Sequence, residues 1–245
     1  MSQISSICDS GQDSHIIVIP ARDEEKTIRT VIEGIKSIHP QEEVVVVDDA
    51  STDATAAVAQ AAGAKVLSLA LRLGAWGAIQ TGIRYALETG CQTVITMDAD
   101  GQHEPAYVNA LIQPILTGQA DVVIGACPDR VSRARRYAWS YFRLLTGLKL
   151  EDITSGFRAY NFAAIKILAS AEASLIDYQD VGVLLILRRK GLRTVEVQVP
   201  MGIRTTGVSR VFSSWWVVAN YMLQTSLLCI ARVGSGKLLK FHRNI

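Results

Sequence analysis

From residue 16 to residue 125, short apolar runs alternate with stretches whose apolar residues recur every three or four positions. Ile16–Ile19, Val44–Val47, Lys65–Leu69, Thr93–Thr96 and Asp121–Gly125 are rich in apolar and β-branched residues, as expected of strands buried on both faces. Between them Ile28, Val31, Ile32 and Ile35 repeat at helical spacing, and further helices are expected over Val58–Ala62, Ala78–Glu88 and Pro105–Leu116. Ile176–Arg189 reads as a later helix and Arg193–Val199 as a later strand. Strand and helix in alternation predict an α/β fold with a mostly parallel, Rossmann-like sheet and helices on both faces.

The ends of the chain break this pattern. Residues 1–14 read as a loose polar tail without the apolar stretch of a signal peptide, so none is expected. Residues 15–210 are expected to form the folded domain, and residues 211–245 an apolar helix with a basic tail. Val211–Ala231 carries no charge, and a helix of that length reaches about 30 Å, the thickness of a bilayer core. Ser213, Asn220 and Gln224 fall near one face and Trp215 and Trp216 suit an interface, which favours a helix lying in or shallowly on a membrane. A full span and a face for a small membrane-protein partner are the alternatives. No acid follows Glu196, whereas Arg232, Lys237, Lys240 and Arg243 follow the apolar run, so the cytoplasmic leaflet is the expected location.

Composition narrows the classes. A hydrophobic share of 49% with 20% charged residues is that of a globular chain, and a net charge of +2 gives no reason to expect nucleic acid. The mean hydropathy of +0.22 adds weight to membrane contact. Cys8, Cys91, Cys127 and Cys229 lack metal-ligand spacing and suggest reduced thiols.

Candidate chemistry lies just past the strands' carboxyl ends, where open α/β sheets hold ligands. The first strand runs into Pro20-Ala21-Arg22-Asp23-Glu24, and the second into Asp48-Asp49-Ala50-Ser51-Thr52-Asp53. Acids early in a helix serve its dipole, and Ser51 or Asp53 could cap the helix that follows. Asp48 and Asp49 have no such local use and are expected to accept from ribose hydroxyls or a base N–H. Gly74 and Gly77, at the junction between the third strand and the helix that follows, would let backbone approach a phosphate.

Met97-Asp98-Ala99-Asp100-Gly101-Gln102-His103 follows the fourth strand. Asp98 and Asp100, one residue apart, point the same way on extended backbone. Two carboxylates with Gln102 beyond suit a hard divalent cation that leaves positions open for phosphate oxygens. A solvated turn is the ordinary reading of an isolated D-x-D, but the buried strand before it and the other phosphate-friendly segments favour a metal and diphosphate site.

Further on, Arg130, Arg133, Arg135, Arg136 and Arg143 interleave with Tyr137, Trp139, Tyr141 and Phe142, a pattern that fits an anionic membrane surface or a solvated face equally. Asp152–Tyr160 sets hydroxyls and Arg158 around Gly156; Arg158 could fork onto a phosphate or pair with Asp152. Gly202–Arg210 reads as a flexible basic loop able to cover a diphosphate.

Taken together, these segments resemble the family 2 inverting glycosyltransferases of the dolichol-phosphate mannosyltransferase type, over about residues 15–230. The pattern P-A-x-N-E appears as Pro20–Glu24 with Asp23 in place of Asn; V-D-D-x-S-x-D is complete at Val47–Asp53, D-A-D-G-Q-H at Asp98–His103, T-S-G-F-R at Thr154–Arg158, and R-x-x-G-x-S-[KR] at Arg204–Arg210. The resemblance implies a GT-A fold that moves a sugar from a nucleotide-sugar, of GDP-mannose or UDP-glucose type, to a polyprenyl phosphate. It implies donor contacts from Pro20, Ala21, Glu24, Asp49, Gly74, Asp98, Ala99, Arg204 and Arg210. It also implies a Mg²⁺ or Mn²⁺ on Asp98, Asp100 and Gln102, and an acceptor phosphate on Ser155 and Arg158. Asp100, Arg158 and Arg204 are the expected catalytic residues. Trp76 departs from the family's usual glycine and is expected to fill space above the nucleotide or alter how the loop closes.

A phosphate acceptor needs no strong base, since its second pKa is about 6. The alternative, a sugar hydroxyl in a surface polysaccharide, would need one, with Asp152 or Asp180 as candidates. A nucleotide-binding scaffold docked to a membrane partner is a third reading. A dinucleotide-binding dehydrogenase is disfavoured because no G-x-G-x-x-G follows the first strand.

Overall fold

The computed structural model describes residues 15–127, 150–175 and 181–202, together with residues 140, 141, 143, 144, 146–148 and 226. Its elements follow the expected order: β1 (His15–Ala21), α1 (Ile28–Ile38), β2 (Glu43–Asp48), α2 (Thr55–Ala61), β3 (Lys65–Ser68), α3 (Gly74–Glu88) and β4 (Thr93–Thr96). A 3₁₀ turn at Pro105–Tyr107 leads into α4 (Val108–Leu116), followed by β5 (Val122–Ala126), β6 (Arg158–Asn161), α5 (Phe162–Leu168), a 3₁₀ turn at Ala173–Leu175, α6 (Val181–Arg189) and β7 (Thr194–Gln198).

The seven strands form one sheet in the order β3-β2-β1-β4-β6-β5-β7. Pairings among β1, β2, β3 and β4, and between β5 and β7, are parallel. β6 is antiparallel to both of its neighbours, β4 and β5. The apolar runs are sandwiched between two helical layers, and their alternation divides them. Ile17, Ile19, Val44 and Val46 join the core beneath α1 and α4, whereas Ile16, Val18, Val45 and Val47 join the core beneath α3 and α5.

The antiparallel β6 and helix α5 were not expected from the pattern. Arg-Ala-Tyr-Asn offers only four residues and opens on a charge, so it does not read as a buried strand. Yet Arg158, Ala159 and Tyr160 are all buried. The consequence for function is positional. Thr96 at the carboxyl end of β4 is registered against Arg158 at the start of β6. The loop leaving β4 and the loop entering β6 therefore lie side by side.

Among the described residues, no helix is long and apolar enough to cross a membrane. Val211–Ala231 lies outside the described residues except for Ser226, whose hydroxyl is 3.2 Å from that of Tyr141. Most of the basic-aromatic segment, and Ile176–Asp180 at the start of the expected helix, lie outside them as well.

Candidate active site

The candidate site is built at the carboxyl ends of β1, β2 and β4, closed on one side by the loop before β6. Asp49 donates its backbone N–H to Ala21 O at 2.9 Å, which ties the loop after β2 to the end of β1. Asp23 sits at φ +50°, a conformation that Asp and Asn tolerate better than most residues. In that position its Oδ1 accepts from the Thr52 N–H at 2.8 Å and the Thr52 hydroxyl at 3.2 Å, while its own N–H reaches the Ser51 hydroxyl at 3.0 Å. The Thr52 N–H holds the Asp23 carboxyl below the usual aspartate range. Glu24 and Glu25 extend the seam: the Glu24 N–H donates to Thr55 Oγ1 at 2.8 Å, and Glu25 Oε2 accepts from the Ala54 N–H at 3.1 Å. Pro20, Ala21 and Glu24 thus stand on a cross-braced platform beside Asp49.

Asp48 and Asp49 both find hydrogen-bond partners within the protein, Asp48 in its own loop and Asp49 across the site. Asp48 Oδ1 accepts from the Ser51 N–H at 3.3 Å. Asp49 is buried, and its two carboxylate oxygens take the N–H groups of Leu73 at 2.6 Å and Gly74 at 3.0 Å. This is a carboxylate at a helix N-terminus, where the orphan amides and the dipole favour it. Gly74 adopts φ +79°, which its lack of a Cβ makes inexpensive at the entry to α3. Asp49 fixes the glycine loop, a role invisible in the sequence because its partners lie 24 and 25 residues away.

Trp76 also departs from expectation. It is buried on the α3 side of the sheet, and its Nε1–H donates to Ala173 O at 2.8 Å. One helical turn on, Gln80 Nε2 donates to Leu168 O at 2.8 Å and Ser170 O at 3.2 Å; a turn later, Arg84 Nε donates to Ala169 O at 3.0 Å. This stripe satisfies carbonyls at the end of α5 and in the segment after it. Trp76 therefore binds protein backbone at Ala173.

The loop after β4 carries the carboxylates. Asp98 is partly exposed (44% of its side chain), Ala99 and Asp100 are buried, and Gly101 turns the chain at φ +75°. Asp100 Oδ1 accepts from the Gln102 N–H at 3.1 Å, which folds Gln102 back onto the same turn. Against this loop packs the one before β6. Thr96 Oγ1 donates to Gly156 O at 2.7 Å, and a Cβ built on Gly156 would stand 2.6 Å from Asp98 Oδ1. His103 stacks on Phe157 with ring centroids 5.0 Å apart, and the Asp98 N–H donates to its Nδ1 at 3.0 Å. A third segment joins them: His103 bridges to Met201, and the Gly202 N–H donates to Gln102 O at 2.9 Å.

The donor set suits the expected cation. Asp98, Asp100 and Gln102 offer oxygen ligands in one turn, with the Asp98 carboxylate seated in a cradle that exists because residue 156 lacks a side chain. Among the described residues no group of three or more His, Cys, Asp or Glu side chains is placed to hold a metal ion, so an ion here would depend on the Gln102 amide or on ligand oxygens as well.

Ser155 and Arg158 are bonded to their own loop. Arg158 is fully buried; its Nε donates to Ser155 O at 2.8 Å and its Nη2 to Ile153 O at 2.9 Å. Ser155 Oγ accepts from the Phe157 N–H at 3.2 Å. Asp152 binds the same loop, with Oδ1 accepting from the Thr154 N–H at 3.1 Å and Oδ2 from the Cys127 N–H at 3.4 Å. Glu196 on β7 accepts from the backbone N–H of Glu151 at 2.8 Å and of Asp152 at 2.7 Å. Burial pushes its carboxyl above the usual glutamate range, although these amides pull the other way. Arg158 thus shapes the loop around Ser155 from inside. Arg204 and Arg210 lie outside the described residues, as does Asp180.

The comparisons with known proteins agree with this arrangement. The sequence model of the family described as Glycosyl transferase family 2 matches residues 16–170. The undecaprenyl-phosphate mannosyltransferase of Micrococcus luteus is 31% identical over 214 residues, covering 80% of this chain and 86% of that protein. The polyprenol monophosphomannose synthase of Mycolicibacterium smegmatis is 27% identical over 219 residues, 81% of each chain. Among solved structures, glucosyl-3-phosphoglycerate synthase from Mycobacterium tuberculosis, crystallised with Mn²⁺, UDP-glucose and phosphoglyceric acid, shares the fold with a TM-score of 0.67 at 24% identity, covering 91% of this chain and 80% of that one.

Proposed function

The chain belongs to glycosyl transferase family 2, and from that premise we propose that it transfers a hexose from a nucleotide-sugar to a polyprenyl phosphate, with inversion, at the cytoplasmic face of a membrane. The observation that carries this reading is the meeting of three loops: the carboxylate turn at Asp98–Gln102, the Ser155–Phe157 loop against it, and the Met201–Gly202 segment paired to it. The two relatives named above, one for undecaprenyl phosphate and one for polyprenol, support a lipid-phosphate acceptor.

In this mechanism Pro20, Ala21, Glu24 and the Asp49-braced Gly74 loop seat the nucleotide. Asp98, Asp100 and Gln102 would hold a Mg²⁺ or Mn²⁺, which would supply charge neutralisation for the departing diphosphate. Ala99 lines the same turn. Arg204 and Arg210, which lie outside the described residues, would add positive charge to the diphosphate. Ser155 meets the acceptor phosphate, whose loop Arg158 holds in shape. A phosphate oxygen attacks the anomeric carbon as the bond to the nucleoside diphosphate breaks, and attack from the opposite side inverts that centre. The acceptor is an anion near neutral pH, with its second pKa at about 6, so no protein base is required.

The hydroxyl-acceptor alternative fits less well. Asp152, a base candidate for it, is buried with both carboxylate oxygens accepting hydrogen bonds from its own loop and from Cys127. A screen of radiolabelled nucleotide-sugars with polyprenyl phosphate, scored by label extracted into organic solvent, tests the proposal. Asp100→Asn and Arg204→Ala are expected to abolish extractable product without lowering the melting temperature. Full activity in either variant, or label found only in water-soluble glycan, contradicts it.

A further inference from the structure

His103 completes the D-A-D-G-Q-H motif, yet the reading of that motif as a cation site gives it no task. Its side chain is wholly buried. The Asp98 N–H donates to Nδ1 at 3.0 Å, and a nitrogen that accepts carries no proton. The neutral ring must then hold its proton on Nε2. That N–H has no hydrogen-bond partner among the described residues, which is costly for a buried donor. It faces Asp98 Oδ2 at 3.7 Å.

The ring has little freedom to turn elsewhere. Phe157 stacks on it at 5.0 Å with planes 17° apart, and the His103 backbone is bridged to Met201. The Gly156 backbone also lies against the Asp98 carboxylate, where an added Cβ would stand 2.6 Å from Oδ1 and 3.0 Å from Oδ2. The carboxylate thus has an N–H without a hydrogen-bond partner among the described residues facing Oδ2 and a bare backbone beside it.

We propose that His103 is the positioning residue for Asp98: Nδ1 fixes its backbone, and Nε2–H takes up Oδ2 when the carboxylate engages a divalent cation, leaving Oδ1 for the ion. Histidine suits the task because one ring both accepts and donates; its ring stacks on Phe157 while its backbone bridges to Met201, so His103 stands at the junction of all three site loops. Outer-shell partners of this kind change metal affinity by roughly 10- to 100-fold when removed. The inference rests on the metal-dependent reading above.

The test is Mn²⁺ affinity, measured by electron paramagnetic resonance on the full chain with a nucleoside diphosphate present. His103→Asn keeps an acceptor near the Nδ1 position without the Nε2 donor. His103→Gln restores a donor near the Nε2 position. We expect His103→Asn to weaken Mn²⁺ binding about tenfold or more, to raise the Mn²⁺ needed for half-maximal turnover, and to recover kcat at saturating Mn²⁺. His103→Gln should bind Mn²⁺ more tightly than His103→Asn. Equal losses in the two variants, or unchanged Mn²⁺ affinity in His103→Asn, overturn the proposal while leaving the metal-dependent reading intact. Wild-type protein that binds no Mn²⁺ overturns both. If the variants fail to fold, nitrogen NMR of the wild-type ring decides. A bare Nδ1 with an Nε2–H resonance that shifts on adding Mg²⁺ supports the proposal; a proton on Nδ1, or an Nε2–H that Mg²⁺ leaves unmoved, overturns it.

Discussion

Gly156 is where the site depends most on an atom that is not there. Its backbone lies in a region open to any residue, so alanine would meet no dihedral strain, only the Asp98 carboxylate. Gly156→Ala is therefore expected to fold with nearly wild-type stability but to weaken divalent-metal binding by roughly 10- to 100-fold, the range seen when a metal ligand's outer-shell surroundings are altered. Isothermal titration with Mn²⁺, beside a thermal melt, separates the two effects. Glu196 offers a test through pH. Its carboxyl titrates above the ordinary glutamate value of 4.5 because it is buried. A carboxyl with a raised folded-state pKa favours folding while it is protonated. Its contribution is therefore fully present below pH 4.5 and is lost as pH rises through the raised value. The stability of the wild type relative to Glu196→Gln should accordingly fall as pH increases through that window, measured by urea unfolding at a series of pH values. A difference that does not change with pH contradicts the assignment. Neither behaviour was readable from the sequence. Gly156 stood out as part of T-S-G-F-R, but the atom it makes room for belongs to a residue 58 positions earlier.

Among the elements, α3 carries the most. It packs on β1 so closely that a Cβ on Gly82 would run into Val18 Cγ1. Gly82→Ala gains about 1 kcal/mol in helix propensity yet crowds a filled core, at a cost of about 1–3 kcal/mol. The expected result is no gain or a net loss in denaturant midpoint. Clear stabilisation would show that the contact relaxes freely. The opposite stripe of α3 holds backbone carbonyls through Trp76, Gln80 and Arg84. Trp76→Phe keeps a ring but leaves Ala173 O without its donor, which should cost about 1–3 kcal/mol. The melting temperature reports the loss, and an unchanged value would mean that carbonyl finds another donor. Trp76 stands where the resembling family carries glycine, which suggested that it fills space above the nucleotide or alters how the loop closes; helical geometry turns its indole N–H toward Ala173. The parallel strands were legible because each is an unbroken apolar run. β6 was not, because Arg158 is buried by carbonyl partners five residues or fewer away rather than by being apolar.

At the scale of the molecule, the sheet order converts linear motifs into a site. β1, β2 and β4 bring their carboxyl ends together, as the strand–helix alternation predicted, and the antiparallel β6 delivers the Ser155–Phe157 loop to the carboxylate turn. The motifs were legible as strings; their mutual contacts were not, since each is bonded to a partner tens of residues away. The buried Arg158 illustrates the difference, being a phosphate ligand in the string and a bracket for the loop in the fold. The central claim is that Asp98, Asp100 and Gln102, on the turn after β4, would hold a divalent cation that neutralises charge on the departing diphosphate. Its most direct test follows transfer from a radiolabelled nucleotide-sugar to polyprenyl phosphate by the purified full chain, in excess chelator and then after adding back Mn²⁺ or Mg²⁺. Lipid-extractable label should disappear in chelator and return with the metal in the wild type but not in Asp100→Asn; undiminished transfer in excess chelator would contradict the claim.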